Sequence, residues 1–181
     1  MNICITSEIE KISTVIVHEP GHDHDNMLPE NIQEYLGNGE PNPNYLLFDD
    51  LIDTQLAVKE HRELTNLIKL FTGPENCIYM NDILDIENEI INKKLSNVIM
   101  PNLIFTRDLA ITIGKKIITT WAAKKVRNYE NRLISHSLNT FINQNLETEI
   151  IHFHDIAPHT SLEGGDVTIF NKDLVIIGIS E

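Results

Sequence analysis

Two short segments, PNLIFTRD at residues 101–108 and LEGGD at residues 162–166, each close an apolar run with acids. A guanidinium presents its N–H groups as a flat fork, and a carboxylate accepts two of them side by side. Two opposed carboxylates can therefore hold a planar cation through charge-assisted hydrogen bonds. Asp108 and Glu163 are the natural pair. Without a cation, two acids sharing a pocket repel and one is driven to protonate, so such a pair serves either a ligand or a proton transfer. The same residues also suit plain turns, with Asp108 and Asp166 as turn acids and Arg107 pairing with one of them. Gly164 and Gly165 offer a backbone that can approach a ligand closely or simply turn tightly.

Other reactive residues are less specific. His22 and His24, like His152 and His154, lie two apart, which on a strand places both rings on one face. Ile151 and Phe153 alternate with the second pair, so burying the apolar residues turns these histidines toward solvent or a polar cleft. No third ligand stands at a metal-site spacing. His61 falls in a helical stretch as a structural or surface residue. Cys4 and Cys77 each sit beside isoleucine and read as reduced, buried thiols. Arg127 opens a helical stretch where the helix end already carries partial positive charge, so its position asks for an anionic partner. The alternative is an exposed arginine in the surface run KKVR.

The elements that must position these residues follow from periodicity and punctuation. Residues 12–18 are β-branched and stop at Pro20-Gly21, as a buried strand does. Residues 22–50 read as a loop able to act as a flap, with a short helix near 29–36. Residues 50–71 space Leu51, Leu56, Val58, Leu64, Leu67, Ile68 and Phe71 helically before Gly73-Pro74. Residues 81–95 fit a short amphipathic helix. Residues 111–121 predict a hairpin turning at Gly114-Lys115, and residues 122–143 a helix. Strands over 149–153, 167–170 and 174–179 complete the chain, the last two joined by a turn at 171–173. The order is that of an α/β layered domain without linker or clear repeat.

Composition narrows the function classes. With 14 Lys and Arg against 27 Asp and Glu, the formal charge of −13 opposes nucleic acid and anionic membrane surfaces as partners. The first residues lack a basic stretch followed by a long apolar core, and no apolar run nears the roughly 18 residues of a spanning helix. The expectation is a cytosolic protein of one domain, residues 1–181, with no metal.

Together the segments SEIEKISTVIVHEPG (7–21), LPEN (28–31), LFDD (47–50), KEH (59–61), PNLIFTRD, LEGGD and GISE (178–181) resemble the arginine deiminases of the guanidine-modifying, or pentein, superfamily, in the family's order and almost end to end. The resemblance implies a partial pentein fold, a truncated α/β propeller of ββαβ modules around a substrate channel. It implies hydrolysis of arginine to citrulline and ammonia without a cofactor. Asp108 and Glu163 match the family's guanidinium-binding catalytic acids. Asn102 and Arg127 match residues that bind the amino-acid end, and Phe105 an aromatic packed on the aliphatic stem. Leu47 lies in a segment that closes over substrate. In this family a cysteine thiolate attacks the guanidinium carbon, a histidine acts as acid and base, and a second aspartate holds the substrate. Those three residues fall beyond the equivalent of Glu181, and neither Cys4 nor Cys77 matches the nucleophile. The resemblance thus implies an amino-terminal part, inactive alone, with a complementing carboxy-terminal half or a homo-oligomer as partner. The stretch between Phe71 and Pro101 is shorter than in larger bacterial members. Non-catalytic binding of a guanidino compound, or action on dimethylarginine, agmatine or an amidino-transfer substrate, are the other readings.

Overall fold

The computed structural model describes residues 3–84, 98–142 and 148–179. The chain begins with strand β1 (Val15–Val17), a helical turn α1 (His22–Asp25) and a loop carrying a 3-10 turn at Pro29–Ile32. Helix α2 (Thr54–Thr72) follows. Its start is fixed by Asp53, whose side chain accepts from the Leu56 N–H at 3.0 Å. Its end is fixed by Gly73 at φ 88°, where a left-handed residue lets the chain leave the helix, and Pro74 blocks any continuation. Strand β2 (Cys77–Tyr79) then pairs parallel to β1, Val15 opposite Cys77, with α2 as the crossover. Cys77 is buried there, whereas Cys4 is exposed, contrary to the expectation of two buried thiols; Cys4 precedes Ile5, which bridges to Gly114 outside the named strands.

Helix α3 (Met80–Ile83) covers the start of the expected 81–95 helix, and residues 85–95 lie outside the described residues. A 3-10 turn at Pro101–Ile104 leads into α4 (Thr106–Leu109). The predicted hairpin is present as β3 (Ala110–Ile113) against β4 (Lys116–Thr119), turning at Gly114 with φ 56°. Helix α5 (Asn128–Ile142) then crosses to β5 (Glu149–His152), which pairs parallel to β4. This run has the order ββαβ. Leu109, Ile117, Ile134 and Leu138 join Met80, Ile83 and Leu103 in its apolar core, so the segment containing Asn102 is anchored on the sheet by Leu103 and Leu109.

Two expectations need correction. The helix predicted over 122–143 begins only at Asn128, because residues 125–127 form a 3-10 turn and the Asn131 side chain caps the Ala122 N–H at 3.0 Å. Strand β5 stops at His152, and Phe153–Ile156 is a helical turn, α6. His152 and His154 therefore do not share a strand face. His152 contacts Thr119 and Asn139, while His154 stacks on Trp121 with ring centroids 3.9 Å apart. His22 and His24 lie on a helical turn rather than a strand, so His24 is buried and His22 exposed.

The last hairpin, β6 (Val167–Asn171) with β7 (Leu174–Ile177), is antiparallel with an irregularity between Ile169 and Asn171. Val167 and Ile169 pack on Ile111, which ties the hairpin to β3. Three small sheets result, and no closed barrel or propeller is seen among the described residues. Among them, no helix is long and apolar enough to cross a membrane.

Candidate functional site

The two acidic segments meet through backbone contact. A Cβ placed on Gly164 would stand 1.9 Å from the Arg107 carbonyl oxygen, so only glycine permits this approach. The glycine admits the chain's own backbone. Arg107 secures the junction by donating from Nε to the Gly164 carbonyl at 2.9 Å and from Nη2 to the Val167 carbonyl at 2.6 Å. Its remaining partner is the Glu8 carboxylate. Arg107 pairs with neither Asp108 nor Asp166, because its side chain points along the hairpin base. Burial pushes Glu8 up, but the Arg107 guanidinium and the Ile169 N–H hold its carboxyl below the ordinary range. Asp166 is exposed and sits in the turn leading to β6, as a turn acid does.

This junction brings Asp108 and Glu163 to a single guanidinium, that of Arg127. Its Nη1 donates to Asp108 Oδ2 at 2.9 Å and to Glu163 Oε2 at 3.1 Å. Nε donates to Glu130 Oε2 at 3.0 Å, and Nη2 lies 3.4 Å from the Asn102 carbonyl. Side-chain exposure divides the cluster: 3% for Arg127 and 2% for Glu130, against 25% for Asp108 and 28% for Glu163. The floor is thus dry and the two clamp acids reach solvent. The surface reading of Arg127 is overturned; the anionic partner its position asked for is supplied by three carboxylates of its own chain. Those partners raise its pKa against the opposing effect of burial.

Glu130 was not singled out from sequence. Its signal is the i, i+3 spacing to Arg127, which places the two on one face of a helical start. Burial raises Glu130 to about 7, because removing a carboxylate from water outweighs the help of Arg127 and of the Asn102 backbone. Asp108 and Glu163, which reach solvent, and the buried Glu130 thus all face one guanidinium.

Second contacts hold the acids in place. Glu163 Oε1 accepts from the Ala123 N–H at 3.3 Å. Thr120 donates its hydroxyl to the Asp108 carbonyl and accepts from Asn131 Nδ2 at 3.3 Å. A paired bridge between Trp121 and Leu162 ties the second acidic segment to the chain just after β4.

The loop after Gly21 closes one side. Asn102, 2% exposed, donates from Nδ2 to the Leu46 carbonyl at 2.9 Å. The next residue, Leu47, has φ 65°, a left-handed conformation costly to a branched side chain. Phe48 then packs at 6.0 Å on Phe105, which remains 45% exposed, and His24 meets the Phe48 edge at 5.8 Å. Asn102, Phe105, Asp108, Arg127, Glu163 and the Leu47 loop are therefore linked around one region. His18, behind this loop, is buried and its pKa falls to about 4. Among the described residues, no group of three or more His, Cys, Asp or Glu is placed to hold a metal ion.

The family model of arginine deiminase matches residues 88–181, which include Asn102, Asp108, Arg127, Glu130 and Glu163. The chain belongs to the arginine deiminase family. Curated arginine deiminases resemble it at low identity: 26% for that of Metamycoplasma arthritidis, covering 99% of this chain and 54% of that protein. The Listeria monocytogenes arginine deiminase is 28% identical, covering 98% of this chain and 55% of its own length. For that of Borreliella burgdorferi the identity is 24%, with 99% and 56% covered. The chain thus spans about half the length of the arginine deiminases it matches. These alignments run over 235, 241 and 246 positions against 181 residues here, so the arginine deiminases carry inserted residues relative to this chain.

Proposed function

We propose that residues 1–181 form the guanidinium-binding part of an enzyme that hydrolyses L-arginine to citrulline and ammonia. The observation that carries this reading is the convergence of Asp108 and Glu163 on one guanidinium nitrogen, at 2.9 Å and 3.1 Å. In this reading the acids hold the substrate guanidinium, Phe105 packs on its stem, and Asn102, Arg127 and the Leu47 loop surround its amino-acid end. The ββαβ run and the terminal hairpin are blades of a pentein propeller, and residues 1–181 fold as one domain.

The attacking thiolate comes from outside these residues. Cys77 pairs with Val15 inside a small sheet, and Cys4 is exposed beside the amino-terminal segment. Residues 1–181 alone therefore bind a guanidino compound without turning it over, and a carboxy-terminal half supplies the nucleophile, the histidine and the second aspartate.

Calorimetric titration with L-arginine and a citrulline assay test both claims. Binding weakened at least tenfold by Asp108→Asn supports the clamp, since a charge-assisted hydrogen bond contributes about 1.5–3 kcal/mol. Binding that survives the substitution refutes it. Citrulline formed by residues 1–181 alone refutes the missing nucleophile.

A further inference from the structure

We propose that the groove between helix α5, the chain leaving β4 and the turn α6 is a binding site for a small amino-acid zwitterion, with Arg132 taking its carboxylate and Asp155 its ammonium. The groove has a volume of about 340 Å³, and Trp121, Arg132, Ser135, Asn139, His154 and Asp155 are among the residues that line it. Helix α5 brings Arg132, Ser135 and Asn139 to one face by their spacing of three and four residues. None of Asn102, Asp108, Arg127 and Glu163 lines this groove.

Much of its polar wall is closed on itself. The Asn139 amide nitrogen donates to the Ser135 carbonyl at 3.0 Å and lies 3.1 Å from His152 Nε2. An amide nitrogen only donates, so Nε2 accepts and the ring proton sits on Nδ1, 3.0 Å from Thr119 Oγ1. Ser135 donates to that same oxygen at 3.1 Å. These groups shape the groove rather than bind in it. The two charges differ. Arg132 and Asp155 are exposed, and among the described residues neither side chain has an ion pair or a hydrogen bond. Arg132 touches only the Trp121 ring, its Cζ 5.7 Å from the centroid, a contact that consumes none of its N–H groups. Acids outnumber Lys and Arg by 27 to 14 in this chain, so the arginine is not left unpaired for want of carboxylates. His154, stacked at 3.9 Å, holds the indole that carries it. A simple anion in this groove meets Arg132 but is opposed by Asp155, and a simple cation meets the reverse. A molecule carrying both charges satisfies both residues at once.

Trp121 is the single tryptophan of the chain, so its fluorescence locates binding in the groove. The intact chain is titrated with glycine and γ-aminobutyrate, zwitterions of short and long charge separation, and with acetate and methylamine, which carry one charge each. None of the four has a guanidinium, so the outcome is independent of the acid clamp. At least one zwitterion should give a saturable fluorescence change with matching calorimetric heat, and should bind at least about threefold tighter than acetate or methylamine. Arg132→Gln and Asp155→Asn, both at exposed positions, should each weaken that binding at least about threefold and leave the melting temperature unchanged. Absence of a saturable response to either zwitterion in both measurements overturns the site. Zwitterion binding that both variants leave intact overturns the assignment of the two charges. Acetate binding as tightly as the zwitterion, and more tightly still in Asp155→Asn, overturns the proposal in favour of a plain anion site.

Discussion

Replacing Gly164 by alanine should damage this protein far more than the same change at Gly165. The added methyl at 164 would lie 1.9 Å from the Arg107 carbonyl oxygen and 2.9 Å from its carbon, both backbone atoms. Restoring ordinary contact requires the two segments to separate by about 1.5 Å, because overlap at that distance is strongly repulsive. The junction cannot absorb such a shift, since the Arg107 Nε to Gly164 carbonyl bond is 2.9 Å long and Glu163 reaches Arg127 at 3.1 Å. Overpacking at about 1–3 kcal/mol and a lost charge-assisted bond at about 1.5–3 kcal/mol combine to a loss of about 2.5–6 kcal/mol. That is much of a domain's total stability of about 5–15 kcal/mol. At Gly165 the methyl would meet only the Asp108 carboxylate, at 3.2 Å, and a side-chain end can yield by a few tenths of an ångström. Gly165→Ala should lose less than about 1 kcal/mol of stability while disturbing ligand binding. Urea unfolding midpoints and slopes measure both. Equal losses for the two variants, or a loss below about 1 kcal/mol for Gly164→Ala, would show that the close approach does not set the clamp.

Three further outcomes follow from the same contacts. Burial raises Glu130 from its ordinary value of 4.5 to about 7, so between those values the folded state holds a proton that the unfolded chain has released. Stability should therefore fall as pH rises from about 4.5 to about 7, by up to about 3 kcal/mol, and Glu130→Gln should remove that slope. Identical pH profiles for the two proteins in urea unfolding would contradict this. Asn102→Ala leaves the Leu46 carbonyl without its buried donor and should lower stability by about 1–3 kcal/mol, read from thermal melting; a change within 0.5 kcal/mol would contradict it. Leu47→Gly removes the left-handed strain of a branched residue at φ 65° and should be neutral or stabilising, within about 1 kcal/mol. A clear loss of melting temperature would show that the Leu47 side chain, rather than its backbone, holds the loop.

Local chemistry made much of the fold legible. Gly73 and Pro74 mark the end of α2, whose stop is a property of those residues, and Gly114 marks the turn of the β3–β4 hairpin, whereas the start of α2 at Thr54 rather than residue 50 follows the Asp53 cap. Where expectation failed, tertiary contacts had overridden local signals. Residues 122–127 carry no helix breaker, yet the Asn131 cap and the burial of Arg127 hold them out of helix α5. His152 and His154 follow strand alternation in sequence, but the stacking of His154 on Trp121 accompanies a turn into α6.

The site divides in the same way. The sequence by itself offered Asp108 and Glu163 as acids able to hold a planar cation, beside the plainer reading of both segments as turns. It also supplied the glycine that lets their backbones touch. Only the tertiary structure decided which guanidinium they hold. Arg127 is 19 residues from Asp108 and 36 from Glu163 along the chain, and Glu130 shares its helical face. Local spacing cannot show that these four charges converge, since their pairing depends on a backbone approach at Gly164 and on a helix packed beneath it.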